Sequence, residues 1–354
     1  MLASCAPENA ENEIVQPEED TEQGLASIVP TYQLSDHYYK TVLPFRPSAA
    51  RGVITGQVAN RVDIYEMERG LQRLSLEHFD PELYYYDEGQ YLSRNTVLRL
   101  IDELNPQRKR DWSEEQHREN PRVFSHILEQ NYVHVDESVE LAGVSIGIAL
   151  KSVYRFNTEE AGPYFEYIPE EEMIEKGKEI AQVVLERLRS YEDVRSVPVM
   201  IALYREEERS SPVPGRFVAK TFVEGSNMLI SNWEELNEDN VLFPSDYARD
   251  NYPETNGLLQ EFGQKIAEYF PNYVGYVGHG FYLDNQLRSL KIKIPIEFNG
   301  ASEIVGFTQY VYGIVKNSFT GNYDIEVKIE SSRQIESIIF KRFDDEEPTV
   351  HILQ

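Results

Sequence analysis

The chain has 354 residues, enough for one large domain or two ordinary ones, and its 41% hydrophobic and 12% aromatic content is that of a protein with a sizeable core. Its 61 Asp and Glu against 34 Lys and Arg give a net charge of −27, which repels nucleic acid and anionic headgroups and excludes a broad binding surface for either. The single cysteine, Cys5, excludes an intramolecular disulfide, and no run of about 20 apolar residues is present to span a bilayer.

At the amino terminus, Leu2-Ala3-Ser4-Cys5 has the pattern of a lipobox: an aliphatic residue, two small ones, then cysteine. A peptidase cutting at a membrane surface needs small side chains beside the scissile bond, and the thiol carries a diacylglycerol as a thioether. Two acyl chains bury many methylenes at about 0.8 kcal/mol each, so such an anchor needs no polybasic patch. The charged start and apolar stretch of a signal peptide are expected to precede Met1. Ala6 to Pro30 carries Glu8, Glu11, Glu13, Glu18, Glu19, Asp20 and Glu22 with no Lys or Arg, and reads as a disordered acidic tether.

Folded structure is expected from Tyr38. Arg51–Thr55 reads as a short strand, and Val62–Leu76 as a helix or an irregular helical turn with Ile64, Met67, Leu71 and Leu74 spaced by three and four. Asn95-Thr96 can cap a helix running to Leu104, Gln107–Asn120 is charged and exposed, and Phe124–Gln130 looks helical. Asn131–Val135 and Val144–Phe156 alternate as strands, with Val153 out of phase. Glu171–Ser190 is the strongest helix, its apolar stripe comprising Met173, Ile174, Gly177, Ile180, Ala181, Val184, Leu185 and Leu188. Val197–Tyr204 is a strand, and the prolines and glycine of Ser210–Gly215 mark a boundary. The second half repeats the order: strand Phe217–Val223, helix Gly257–Phe270, strand Leu290–Phe298, helix Ala301–Lys316, and strands Asp324–Ile329 and Ile335–Phe340.

Asn131-Tyr132-Val133 leads to Phe156-Asn157, and Asn272-Tyr273-Val274 leads to Phe298-Asn299, at nearly the same spacing. The expected fold is therefore α+β: two similar repeats, each a mainly antiparallel sheet with helices packed on one face, preceded by the disordered acidic tether. The expected segments are a signal remnant and lipobox at 1–5, the linker at 6–37, repeat 1 at 38–210, repeat 2 at 211–343 and a C-terminal tail at 344–354.

The chain resembles the CamS family of sex-pheromone lipoproteins of low-GC Gram-positive bacteria. The resemblance is carried by Leu2-Ala-Ser-Cys5, Tyr39-Lys-Thr-Val-Leu-Pro-Phe45, Ala50-Arg-Gly52, Asn60-Arg61, Asp63, Glu66, Glu68, Gly70-Leu71, Leu74-Ser75 and Glu88-Gly-Gln-Tyr-Leu92. It implies a two-repeat organisation, a lipoprotein held on the extracytoplasmic face of the cell membrane, and a signal peptide that can be trimmed to a mating pheromone. Such a peptide would end at Leu2-Ala3-Ser4.

Catalytic signatures are scarce. No Gly-x-Ser-x-Gly, P-loop or dinucleotide fingerprint occurs, and His117, His126 and His134 lack the spacing of a helical zinc site. No metal, cofactor or catalytic residue is expected, and the chain is read as no enzyme. Gly278-His279-Gly280 reads as a tight turn with a surface histidine. Arg61, Asp63, Glu66 and Glu68 form a charged cluster, either a ligand site or a structural ion-pair network. Tyr84-Tyr85-Tyr86 suits a strand of mixed exposure or a sugar-stacking surface. With so many Asp and Glu, no glycosidase dyad is singled out, because carboxylate separation decides that chemistry. The leading expectation is a tethered, non-enzymatic envelope module whose partner is an unknown protein or cell-wall ligand. A solute- or wall-ligand-binding lipoprotein with a pocket between the repeats and an envelope hydrolase are the alternatives.

Overall fold

The computed structural model describes residues 13–14, 28–30, 38–50, 59–61, 63–136, 138–270, 273–297 and 300–353. The chain separates into two units, residues 1–235 and 236–354. The lipobox, the strand expected at 51–55 and most of the acidic tether lie outside the described residues.

In the first unit, β1 (Glu13–Ile14) pairs antiparallel with β2 (Ile28–Val29). They are followed by α1 (Ile64–Ser75), β3 (Tyr85–Glu88), α2 (Arg94–Glu103), α3 (Glu114–Glu119), β4 (Phe124–Val135), β5 (Val139–Lys151), β6 (Val153–Phe156), β7 (Tyr164–Tyr167), α4 (Glu170–Leu188), β8 (Val199–Glu206), β9 (Arg216–Val223) and β10 (Glu234–Glu235). A six-stranded sheet runs β3-β4-β5-β8-β9-β10. Every neighbour is antiparallel except the central pair β5 and β8, which α4 connects. A parallel pair requires such a crossover because a tight turn cannot join its ends.

Residue type decides which helix covers which face of β5. Val144, Ile146, Ile148 and Leu150 share a core with Met173, Ile180, Val184 and Leu188 of α4 and with Val97, Leu100 and Ile101 of α2. The alternate positions are small: Gly143, Ser145 and Gly147. There α1 lies close to the sheet, with Met67, Leu71 and Leu74 buried at spacings of three and four. A Cβ at Gly143 would stand 2.1 Å from the Phe79 ring, and one at Gly147 would stand 2.7 Å from Met67 Cε. Ser75 and Ser145 hydroxyls meet at 2.8 Å in the same contact.

The second unit comprises β11 (Glu238–Phe243), α5 (Asp246–Asn251), α6 (Pro253–Tyr269), β12 (Val277–Leu283), β13 (Gln286–Pro295), α7 (Ala301–Ser318), β14 (Asp324–Glu330), β15 (Ile335–Lys341) and β16 (Thr349–Ile352). Its sheet runs β11-β12-β13-β14-β15-β16, again antiparallel except at the central pair, β13 and β14, which α7 connects. Leu290, Ile292, Ile294, Ile325, Val327 and Ile329 face Leu259, Phe262, Phe307 and Val311 of α6 and α7.

The two units therefore share one topology: a strand, two helices, two strands, a crossover helix and three strands. The tripeptide that suggested a repeat does not occupy equivalent places. Asn131-Tyr132-Val133 lies inside β4, whereas Tyr273 and Val274 precede β12. The first unit adds α1 on the second face of its sheet and the β6–β7 hairpin between its crossover strand and helix.

Several local expectations change. Phe124–Gln130 is strand, not helix: it pairs with β5 with a register shift at Ser125, and its Phe124 and Ile127 reach the core. The cap of α2 is Ser93, whose Oγ accepts from the Thr96 amide at 3.2 Å, rather than Asn95-Thr96. Gly278-His279-Gly280 is not a turn but part of β12, where His279 pairs across to Leu242 and Lys291. The glycines there leave room for Phe243 and Leu259, which a Cβ at Gly278 would approach to 3.2 and 3.3 Å. The strand at 216–223 pairs with β8, so the first unit continues to Glu235 rather than ending at 210. The expected tail at 344–354 contributes β16. Order also begins before residue 38, since Val29 is buried with Val42, Val133 and Val135.

The tight α1 contact predicts unequal effects of adding one methyl. Gly143→Ala should destabilise the chain by about 1–3 kcal/mol, the usual penalty of overpacking against a ring held on both sides. Gly147→Ala should be milder, because Met67 Cε ends a flexible side chain. Urea unfolding of both variants checks this, and equal midpoints would contradict the packing described.

Candidate functional site

Two polar features adjoin in the first unit. The first is a buried cluster where α1 begins. Asn60 is 3% exposed; its Nδ2 donates to the Val153 carbonyl at 2.6 Å, and its Oδ1 accepts from the Val153 amide at 3.1 Å and the Ser152 hydroxyl at 3.3 Å. Arg61 Nε donates to Asp63 Oδ1 at 2.9 Å and its Nη1 to the Ser211 carbonyl at 2.9 Å. Glu206, 4% exposed, accepts from Ser125 Oγ at 2.7 Å, while its Oε2 has no hydrogen-bond partner among the described residues.

Burial sets the protonation of this cluster. It raises the Glu206 carboxyl, helped by the charge of Asp63, and lowers the Lys151 ammonium, which pairs in register with Glu206 across β5 and β8. It also lowers His126 to about 4, and His126 Nδ1 has no hydrogen-bond partner among the described residues.

The second feature is an open concavity of about 750 Å³ lined by Arg108, Lys109, Arg110, His117, Asn157, Thr158 and Glu159. Three places in the fold supply it: the loop between α2 and α3, helix α3 itself, and the loop of the β6–β7 hairpin. Helix α3 starts with a capping box in which Ser113 Oγ accepts from the Gln116 amide and Gln116 Oε1 accepts from the Ser113 amide. That start turns His117 inward, to 4% exposure, where it stacks on Phe156 with centroids 4.6 Å apart and planes at 17°. Its Nδ1 lies 3.1 Å from the Tyr154 hydroxyl, and the Arg108 guanidinium sits 5.2 Å from the Tyr154 ring centroid. Burial, then the nearby Arg108 charge, lowers the His117 imidazolium. Arg110 is paired with Glu159 at 2.8 Å.

Of the residues singled out in sequence, Arg61 and Asp63 join the buried cluster, next to Glu206. Glu66 and Glu68 lie on α1; Glu68 accepts a bond from Gln130 Nε2 on its backbone carbonyl. Cys5, Leu2, Ala3 and Ser4 lie outside the described residues. Of the tyrosine triplet, Tyr85 and Tyr86 belong to β3, and Tyr84 packs on His134 at 4.6 Å. Sequence reasoning passed over Glu206, Lys151 and the Arg108–Arg110 run. The basic run in a strongly acidic chain was the visible signal for the last. Among the described residues no group of three or more His, Cys, Asp or Glu side chains is placed to hold a metal ion. No helix among them is long and apolar enough to cross a membrane.

The family described as "CamS sex pheromone cAM373 precursor" matches residues 45–347. This chain belongs to the CamS family. That span takes in both six-stranded sheets up to β15, the buried cluster and the basic concavity. The C-terminal domain of the sex pheromone staph-cAM373 precursor from Staphylococcus aureus is similar, with 29% identity and a TM-score of 0.71 over 82% of this chain and 96% of that one. A sex pheromone precursor from Lactobacillus salivarius subsp. salivarius is 25% identical, with a TM-score of 0.81 over 93% of this chain and 99% of that one. No curated protein matches the CamS chain described here in sequence.

The buried groups give opposite pH signatures. Unfolded His126 takes a proton near its ordinary pKa of about 6.5, whereas the folded form resists until about 4. The unfolded state therefore binds more protons in that window, and stability falls as pH drops through it, by at most about 3 kcal/mol. The His126 ring resonances should stay those of a neutral imidazole at a pH of about 5; titration near the ordinary value would contradict its burial. Glu206 behaves oppositely: the fold holds its proton to a higher pH than the unfolded chain, so stability falls as pH rises through the raised value. Glu206→Gln should therefore be stabilising above neutrality and not below it, as read by denaturant unfolding at matched pH.

Proposed function

We propose that this CamS-family chain is a lipoprotein of the extracytoplasmic face of the cell membrane, held by a diacylglycerol thioether on Cys5. The observation that carries the reading is Leu2-Ala3-Ser4-Cys5, a lipobox pattern that uses the chain's only cysteine. The acidic residues that follow support it. Their negative charge is repelled by an anionic bilayer and so keeps the folded units off it. The relatives are described as sex pheromone precursors. By that likeness, the peptide ending at Ser4 is the source of a pheromone, and cleavage before Cys5 separates it from the anchored protein. The folded units then act as a non-enzymatic binding module in the envelope, a role independent of the released peptide.

Intact-mass analysis in a Gram-positive host, with the full leader in place, tests this. The expected product begins at Cys5 and carries a diacylglycerol adduct, and the culture medium contains a peptide ending in Leu-Ala-Ser. Cys5→Ala should release an unlipidated protein. Membrane retention of that variant would refute the anchor, and an adduct without the peptide would refute the pheromone source alone.

A further inference from the structure

The basic concavity has features that a solvated surface patch lacks. The chain carries nearly two acidic residues for every basic one, yet Arg108, Lys109 and Arg110 converge there with a single carboxylate, Glu159, which pairs with Arg110. Among the described residues, neither Arg108 nor Lys109 has a carboxylate within ion-pair distance. Two further cations lie behind the wall, the half-buried Lys151 and Arg122: the charges of Arg108 and Arg122 act on Lys151 and on the Tyr154 hydroxyl, and Arg122 is paired with Asp102 at 3.6 Å. Concentrating like charges is unfavourable unless a counter-charge is present for part of the protein's working life.

The wall is ordered by ring and polar contacts. The Arg108 guanidinium lies 5.2 Å from the Tyr154 ring centroid, and its charge favours the ionised hydroxyl. The Tyr154 hydroxyl in turn lies 3.1 Å from His117 Nδ1, within hydrogen-bond distance. Burial holds the imidazole neutral, so one of its two nitrogens keeps a proton on a ring that lines the concavity. Guanidinium and ammonium groups and the side-chain amide of Asn157 thus line the concavity as donors beside the imidazole, while the Thr158 hydroxyl donates to the Ala161 carbonyl at 3.1 Å.

We propose that this concavity is a binding site for a compact phosphate-bearing anion. Guanidinium forks match phosphate oxygens, and a polar, open bowl accepts a hydrated group rather than an apolar one. The overall charge of −27 argues against an extended polyanion or an anionic bilayer, both of which the rest of the surface repels. The site is specific to the first unit. Its hairpin loop stands between β5 and α4, at residues 152–169, where the second unit has only residues 296–300 between β13 and α7. The proposal does not depend on Cys5 and is testable on the folded chain alone.

Calorimetric titration of the full chain with inorganic pyrophosphate at low ionic strength is the test. Saturable binding at one site per chain is expected. Arg108→Gln combined with Lys109→Gln should weaken it by about tenfold or more, the scale of losing charge-assisted hydrogen bonds. Lys293→Gln on the second unit should leave it unchanged, and both side chains of the double variant are exposed, so a matching thermal melt confirms folding. No saturable binding, or the same loss in Lys293→Gln, would overturn the site. A second arm uses vesicles of phosphatidylglycerol in phosphatidylcholine. No association is expected there, and vesicle binding that pyrophosphate fails to displace would overturn the choice of a compact, soluble anion.

Discussion

The close approach of α1 to the small-residue face of β5 governs the first unit. A central strand flanked on both faces must alternate between residues that fill space and residues that leave it. In β5 the branched positions face α4 and α2, while Gly143, Ser145 and Gly147 admit α1 and Phe79. With α1 so close, the segment leading into it, Asn60 to Asp63, is pressed over the ends of β5 and β8. Lys151 and Glu206 are thereby removed from water, and their shifted proton affinities follow from that burial. A bulkier strand would lift the helix and rehydrate the cluster.

The shared topology separates what the scaffold does from what the first unit adds. Both units build the same six-stranded sheet with a parallel centre and a crossover helix. Only the first has α1 and the β6–β7 hairpin, and these two additions bear on the two polar features of that unit: α1 on the buried cluster, the hairpin on the basic concavity. A repeat supplies stable architecture twice, and a local insertion then changes one copy without disturbing the other's core.

The fold was legible where periodicity was strong and local. The stripe of α4 and the alternation of β13 needed no tertiary information. Phe124–Gln130 misled because its apolar spacing fits a helix as well as a strand, and only pairing with β5 decides between them. The duplication was legible through element order, while the matching tripeptides fell at unrelated places. The site was legible in part. Arg61 and Asp63 stood out as charges in an irregular segment, but Glu206 and Lys151 lie at the ends of apolar strands, and nothing in sequence says that those ends are covered. His117 was read as one of several scattered histidines, because the capping box that turns it inward is a feature of α3, not of the residue.

The parallel centre of each sheet has a bearing on how the chain reaches its fold. β4 with β5, and β8 with β9, are antiparallel neighbours close in sequence, so each pair closes a short loop. The seam between β5 and β8 closes a far longer one that contains the hairpin and α4. Loop-closure entropy makes such non-local pairing the slow step, so each sheet is two ready halves waiting on one join. In the second unit the corresponding join spans little more than α7. The two copies of one architecture thus carry different kinetic burdens, and the unit that gained the site is the one with more chain to bring together.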